Sequence, residues 1–144
     1  METRLPKYSE YLDSLKLYAK ALKIKVEYKH GDFEGGEYHH HVRVLRLEPD
    51  LSESQEIACF LHELGHAFDE SACDYNYVKN LSKAYLAFYE DRATPLQVAG
   101  VLKCEREAWR YAEIIAKLLK IKLGKWFYKN KKYFLEGYEK YENT

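Results

Sequence analysis

The stretch that most restricts the fold runs from residue 49 to residue 70, PDLSESQEIACFLHELGHAFDE. Ser52 followed three positions later by Gln55 has the form of a capping box, in which each side chain satisfies a backbone N–H that the first turn of a helix leaves without a partner. Apolar residues then recur at helical spacing, which predicts a helix over 53–70. Ile57, Leu61, Leu64 and Phe68 form one stripe of it, the side that faces a core. Ala58, His62, Gly65, His66 and Asp69 form the adjacent stripe, where Gly65 leaves room for another segment to approach closely.

The flanking segments alternate in period. Tyr8, Leu12, Leu15, Tyr18, Ala19 and Leu22 predict an amphipathic helix over about 8–22. From residue 23 the period drops to two, with Ile24, Val26 and Tyr28 alternating with lysines and Glu27, the pattern of a half-buried strand. HGDFEGGEY then supplies turn residues and HVRVLRLEP a second strand, so an antiparallel hairpin is expected, with a bulge where the alternation slips between Val44 and Leu45. Downstream, Leu81, Tyr85, Phe88 and Tyr89 predict a short helix. Thr94, Pro95 and Gln97 then signal the start of another, running toward Gly124 with a bend allowed at Gly100. In the tail, Phe127, Phe134, Tyr138 and Tyr141 recur near helical spacing among lysines. A helix closing the core is the expected meaning, rather than a nucleic-acid surface.

The fold class expected is therefore α+β, mostly helical, with a small antiparallel sheet before the motif helix. At 144 residues the chain is the size of one domain, 1–144. Lys plus Arg equals Asp plus Glu at 23 each, so no global field draws it to nucleic acid or an anionic membrane. No apolar segment reaches the ~20 residues that span a bilayer, and the N-terminus lacks a signal-like apolar run; a soluble, cytoplasmic protein is expected. Cys59, Cys73 and Cys104 are odd in number and lack C-x-x-C spacing, which fits reduced thiols used in packing.

The chemistry lies in FLHELGHAFDE. Positions i and i+4 project from one side of a helix about a turn apart, so His62 and His66 can aim imidazole nitrogens at one divalent ion, with Zn²⁺ the expected metal. Glu63 is displaced about 100° around the helix, which suits a general base for water that the ion acidifies. A catalytic zinc site takes three protein ligands and keeps a position open, so one more ligand must come from elsewhere. The longer H-E-x-x-H-x-x-G-x-x-H pattern is excluded, because Asp69 and Ala72 stand where it requires Gly and His. The helix after Pro95 offers Glu105 and Glu107 among core-type positions.

HELGH followed by EREAWRYA resembles the gluzincin metallopeptidases, and among them the small ImmA/IrrE-like peptidases of phages and mobile elements, over roughly residues 20–120. The resemblance implies that His62, His66 and Glu105 hold zinc and that Glu63 is the base. Glu107 stays the competing ligand, and Trp109 departs from the Asn or Asp that many relatives carry there. It further implies a protein or peptide substrate, with a regulatory protein among the candidates. The other reading is a non-catalytic, zinc-stabilised binding or regulatory domain. Asp69 is either an acceptor for a ligand imidazole or a solvated acid. His39, His40 and His41 are read as a solvated strand start; one of them, or a tyrosine, is a candidate to support an oxyanion.

Overall fold

A computed structural model of the protein describes residues 8–71 and 75–142. The chain order is α1 (Tyr8–Ala21), β1 (Lys25–Tyr28), β2 (Gly36–His39), β3 (Val44–Leu47), α2 (Glu53–Ser71), α3 (Tyr75–Tyr89), α4 (Pro95–Leu118) and α5 (Lys125–Glu139). The class is α+β, as expected. Cys73 lies outside the described residues.

Both predicted capping boxes are present. Ser52 N–H donates to Gln55 Oε1 and Gln55 N–H to Ser52 Oγ; Thr94 and Gln97 repeat the arrangement at the start of α4. Helix ends obey a different chemistry. α1, α3 and α4 each stop at a non-glycine residue in the left-handed region: Lys23, Asp91 and Lys120, with φ of 58°, 56° and 59°. In each case the next residue donates its N–H back into the last turn: Ile24 to Ala19, Arg92 to Ala87, and Ile121 to Ala116. This is a Schellman closure, in which an apolar residue beyond the turn packs back against the helix. Ile24 and Ile121 are both buried. α4 accordingly ends at Leu118 and not at Gly124, because burial of Ile121 supplies the stop that glycine would otherwise mark.

The sheet corrects the predicted hairpin. The two segments expected as antiparallel partners are β1 and β3, and they pair in parallel, Lys25 opposite Val44 through Tyr28 opposite Leu47. The antiparallel partner of β3 is β2, Gly36 opposite Leu47 through His39 opposite Val44. The sheet is therefore mixed, in the order β1-β3-β2. Gly36, Glu37 and Tyr38, expected in a turn, supply the edge strand with His39, and the histidines expected to start a strand instead end β2 and enter the turn at 40–43 that lays β3 between its neighbours. Glu48 fastens the end of the sheet, accepting Gly35 N–H on its carboxylate and donating its own N–H to Gly35 O. No bulge forms: the register runs unbroken through Val44 and Leu45, both of which are buried on this middle strand.

α2 is the axis of the molecule, packed against α1, β2, β3, α4 and α5. Ile57, Leu61 and Leu64 are fully buried in the main core, together with Leu15, Leu45, Leu47, Ile115 and Phe127. Phe68, the fourth member of the predicted stripe, is 37% exposed and instead lies against Tyr111. α5 closes the core with Phe127, while Trp126, Phe134 and Leu135 pack beside it. A smaller cluster of Ala84, Phe88 and Val101 joins α3 to α4. Among the described residues no helix is long and apolar enough to cross a membrane.

Candidate metal centre

The centre lies in the seam between α2 and α4, and Gly65 decides how narrow that seam is. A Cβ at Gly65 would sit 2.0 Å from the backbone oxygen of Ala108, so only glycine permits this approach. One turn before Ala108 on α4 comes Glu105, and Gly65 lies between the two histidines of α2. Close contact at that point carries the carboxylate to the imidazoles.

Glu105 is 1% exposed. Its Oε1 lies 3.1 Å from His62 Nε2 and its Oε2 lies 2.9 Å from His66 Nε2. Tyr85 of α3 donates its hydroxyl to Oε2. One ligand atom from each of His62, His66 and Glu105 falls within 4.8 Å of the others, the one such group among the described residues. Glu107 points elsewhere: it is one-third exposed and accepts two hydrogen bonds from Arg110. Of the two carboxylates offered by the sequence, the fold brings only Glu105 to the histidines.

The imidazoles are held in place by packing. His62 stacks on Trp109, ring centroids 4.3 Å apart and planes within 9° of parallel. Trp109 in turn meets Phe127 and Phe134 of α5. Thus the residue that departs from the gluzincin-like pattern forms a wall of the site. His66 Nδ1 lies 3.7 Å from Cys104 Sγ, on α4 next to Glu105. Asp69 is buried, yet among the described residues its Oδ2 has no hydrogen-bond partner. His39 ends β2, where it contacts Glu37 and Arg46, and His40 and His41 occupy the turn beyond it; none of the three belongs to the centre.

Glu63 is 3% exposed and stands beside the cluster, its Oε1 3.4 Å from His62 Nδ1. β2 passes directly over it, since a Cβ at Gly36 would approach Glu63 Cγ to 3.0 Å. Burial pushes the Glu63 carboxyl above the usual carboxylate range, against the pull of the two imidazoles. Burial acts in the same direction on Glu105, but there His66 and His62 outweigh it and hold the carboxyl well below that range. Burial disfavours the charged form of His66, yet Glu105, the Cys104 contact and Glu63 together raise it well above the usual imidazole value.

Among the described residues, three buried polar atoms of the cluster lack hydrogen-bond partners: His62 Nε2, Glu105 Oε1 and Glu63 Oε2. The first two are close to each other but misaligned for a hydrogen bond. Orphaned groups at such burial cost about 1–3 kcal/mol each unless something satisfies them. Two imidazole nitrogens and a carboxylate form a donor set suited to Zn²⁺, whose tetrahedral ligands at 2.0–2.1 Å would lie about 3.3 Å apart. The residues present fit such an ion. No family model, curated protein or solved structure matches the chain.

Tyr85 and Cys104 are legible in the sequence only as members of apolar stripes. Nothing in one chain's spacing marks a stripe tyrosine as a donor to a carboxylate on the next helix.

Proposed function

We propose that the protein is a zinc-dependent metallopeptidase in which His62, His66 and Glu105 hold the ion and Glu63 is the general base. One observation carries this reading. Glu63 is a buried carboxylate with an unpaired oxygen that stands beside the ligand group without belonging to it. A structural zinc site is closed by four protein ligands, whereas three leave one position available for chemistry. When bound, Zn²⁺ would act as a Lewis acid and lower the pKa of water toward neutrality.

Glu63 Oε2 is then the atom placed to take a proton from the attacking water and return it to the leaving amine, because it is the buried carboxylate oxygen beside the ligand group that has no partner among the described residues. Among the described residues β2 is an outer strand of the sheet, and it runs past Glu63, so a peptide laid along it would have its scissile bond near the base. Trp109 fixes the plane of His62 and, with α5, keeps water from that side. Tyr85 fixes Glu105. The substrate class is a protein or peptide, and the resemblance of HELGH and EREAWRYA to the ImmA/IrrE-like enzymes favours a regulatory protein.

The ligands come from two helices, so an ion there would also join α2 to α4, as a non-catalytic zinc-stabilised domain requires. Glu63→Gln separates the two readings. Catalysis predicts that this variant retains about one zinc per chain but loses at least ~10²-fold in cleavage of a peptide library. Cleavage equal to that of the wild type would remove Glu63 from the mechanism, and absence of cleavage by zinc-loaded wild type would leave the structural reading.

A further inference from the structure

Among the described residues no strand lies beyond β1, the other outer strand of the sheet. Lys25 and Lys29 donate their N–H groups to Arg43 O and Leu47 O on the β3 side. In a parallel ladder alternate residues face alternate neighbours, so the N–H and C=O groups of Val26 and Tyr28 point away from the sheet. α1 turns back alongside this edge through Lys23, whose φ of 58° makes the reversal. Between helix and strand lies a cavity of about 470 Å³ lined by Lys16, Lys20, Lys23, Lys25, Val26 and Tyr28.

The chain's formal charge is zero, so four lysines around one cavity are a local concentration. Lys25 pairs with Glu27. Among the described residues no carboxylate is within ion-pair range of Lys16, Lys20 or Lys23. Lys16 lies over the Tyr28 ring, Nζ 5.7 Å from its centroid, which sets it level with that end of β1, while Lys20 lies a turn nearer the start of the strand. Four residues of helix advance about 6 Å, and two residues of strand about 6.6–6.8 Å. The two lysines are thus spaced to meet alternate side chains of a strand laid along Val26 and Tyr28. Self-pairing through this edge would set lysine against lysine, so the charge that selects an acidic strand rejects a second copy.

We propose that the β1 edge and the lysine-lined cavity form a docking site for an extended peptide segment that joins the sheet as a fourth strand and carries Asp or Glu at alternate positions. The site lies at the opposite edge of the sheet from β2 and does not depend on metal.

The test uses the full chain and a fluorescein-labelled peptide of alternating Glu and Val, read by anisotropy. Saturable binding is expected, weakened about tenfold or more by Lys16→Glu with Lys20→Glu, and weakened by salt. Two further peptides, N-methylated on either alternate set of amides, need no protein variant. One set should abolish binding and the other should be tolerated, because only one faces β1. Equal binding of both methylated peptides, no loss in the double variant, or no binding of the acidic peptide would each overturn the proposal. So would tighter binding of a single-stranded oligonucleotide, which would assign the lysines to a nucleic acid.

Discussion

Two clusters of ionisable side chains in this protein have similar membership and opposite circumstances. In the α2–α4 seam, Glu105 sits 2.9 and 3.1 Å from two imidazoles, with no member of those pairs more than 12% exposed at its side chain. Across the sheet, Arg46 lies 3.1 and 3.2 Å from Glu27 and Glu37, with side chains 28–30% exposed. His39 joins that ladder at 2.9 Å from Glu37. Contact distances barely differ. What differs is the alternative partner: water reaches every group of the ladder, whereas the seam leaves three polar atoms with none. An exposed pair contributes little because its members are nearly as well off apart, while a buried one is costly to break. The seam therefore holds polar groups that a bound cation could satisfy, which is what the proposed function requires, whereas the ladder is already satisfied by solvent.

The largest effect that would sharpen this contrast is at Glu105. Glu105→Ala leaves two buried imidazoles without their carboxylate, and breaking a buried pair in this way costs about 3–5 kcal/mol. We expect a large drop in the urea midpoint of the metal-free protein and loss of stoichiometric zinc by atomic absorption. A variant that unfolds at the wild-type midpoint and still carries zinc would mean that the seam behaves like the ladder.

Gly65→Ala comes next. It changes no charge, yet the new Cβ would meet Ala108 O at 2.0 Å, and neither partner is the movable end of a side chain. Separating α2 from α4 should cost about 1–3 kcal/mol as overpacking and should also weaken zinc binding, because Glu105 would retreat with α4. Zinc affinity unchanged beside a lowered melting temperature would show that the seam tolerates widening.

The range of each interaction decides whether a single chain reveals it. Helix starts are legible because Ser52 with Gln55, and Thr94 with Gln97, act within four residues. Helix ends are not, since Lys23, Asp91 and Lys120 adopt a conformation usually marked by glycine and are held there by hydrogen bonds from the residues just beyond them. The sheet order is hidden for a related reason: parallel pairing of β1 with β3 is non-local, and the edge strand Gly36–His39 is spelled in residues that read as a turn. At the site, His62, Glu63 and His66 are visible as one helical turn. The residue pattern alone leaves Glu105 and Glu107 open and only the resemblance favours Glu105; what the structure adds is that two positions on α4 separate a buried carboxylate from a part-exposed one paired with Arg110. Tyr85, the stacking of Trp109 on His62 and the contact of Gly36 with Glu63 all join elements distant in the chain, and no local pattern encodes them.

Acidity should expose the seam more gently than mutation. His66 is raised in the folded metal-free chain, so its stabilisation is complete below its ordinary value of 6.5 and is lost as pH rises through the folded value. Glu105 is lowered, so its contribution is complete above 4.5 and is lost as pH falls through its folded value. Glu63 is raised, which favours the acid side as well. Chelated protein should therefore melt highest between about pH 4.5 and 6.5 and less high at pH 8. Zinc requires unprotonated imidazoles, so with the metal present the trend should reverse and binding should release protons, measurable by calorimetry in buffers of different ionisation enthalpy. A chelated melting temperature that climbs steadily to pH 8 would contradict the charged pair.

The smallest effect belongs to the ladder. Arg46→Met removes hydrogen bonds to both Glu27 and Glu37, two charged contacts, as many as Glu105 makes with the imidazoles of the seam. Hydrogen bonds from Arg46 and Lys25 hold the Glu27 carboxyl below its ordinary value, so in the variant its titration, tracked by carbon NMR, should move upward. Solvent already competes for every group involved, and the Met side chain still covers the sheet where the Arg stem lay. The urea midpoint and the zinc content should therefore stay within experimental scatter of the wild type. If Arg46→Met instead lowered the midpoint as far as Glu105→Ala, contact geometry and not dehydration would separate the two clusters, and the orphaned atoms of the seam would lose their value as support for the proposed metal site.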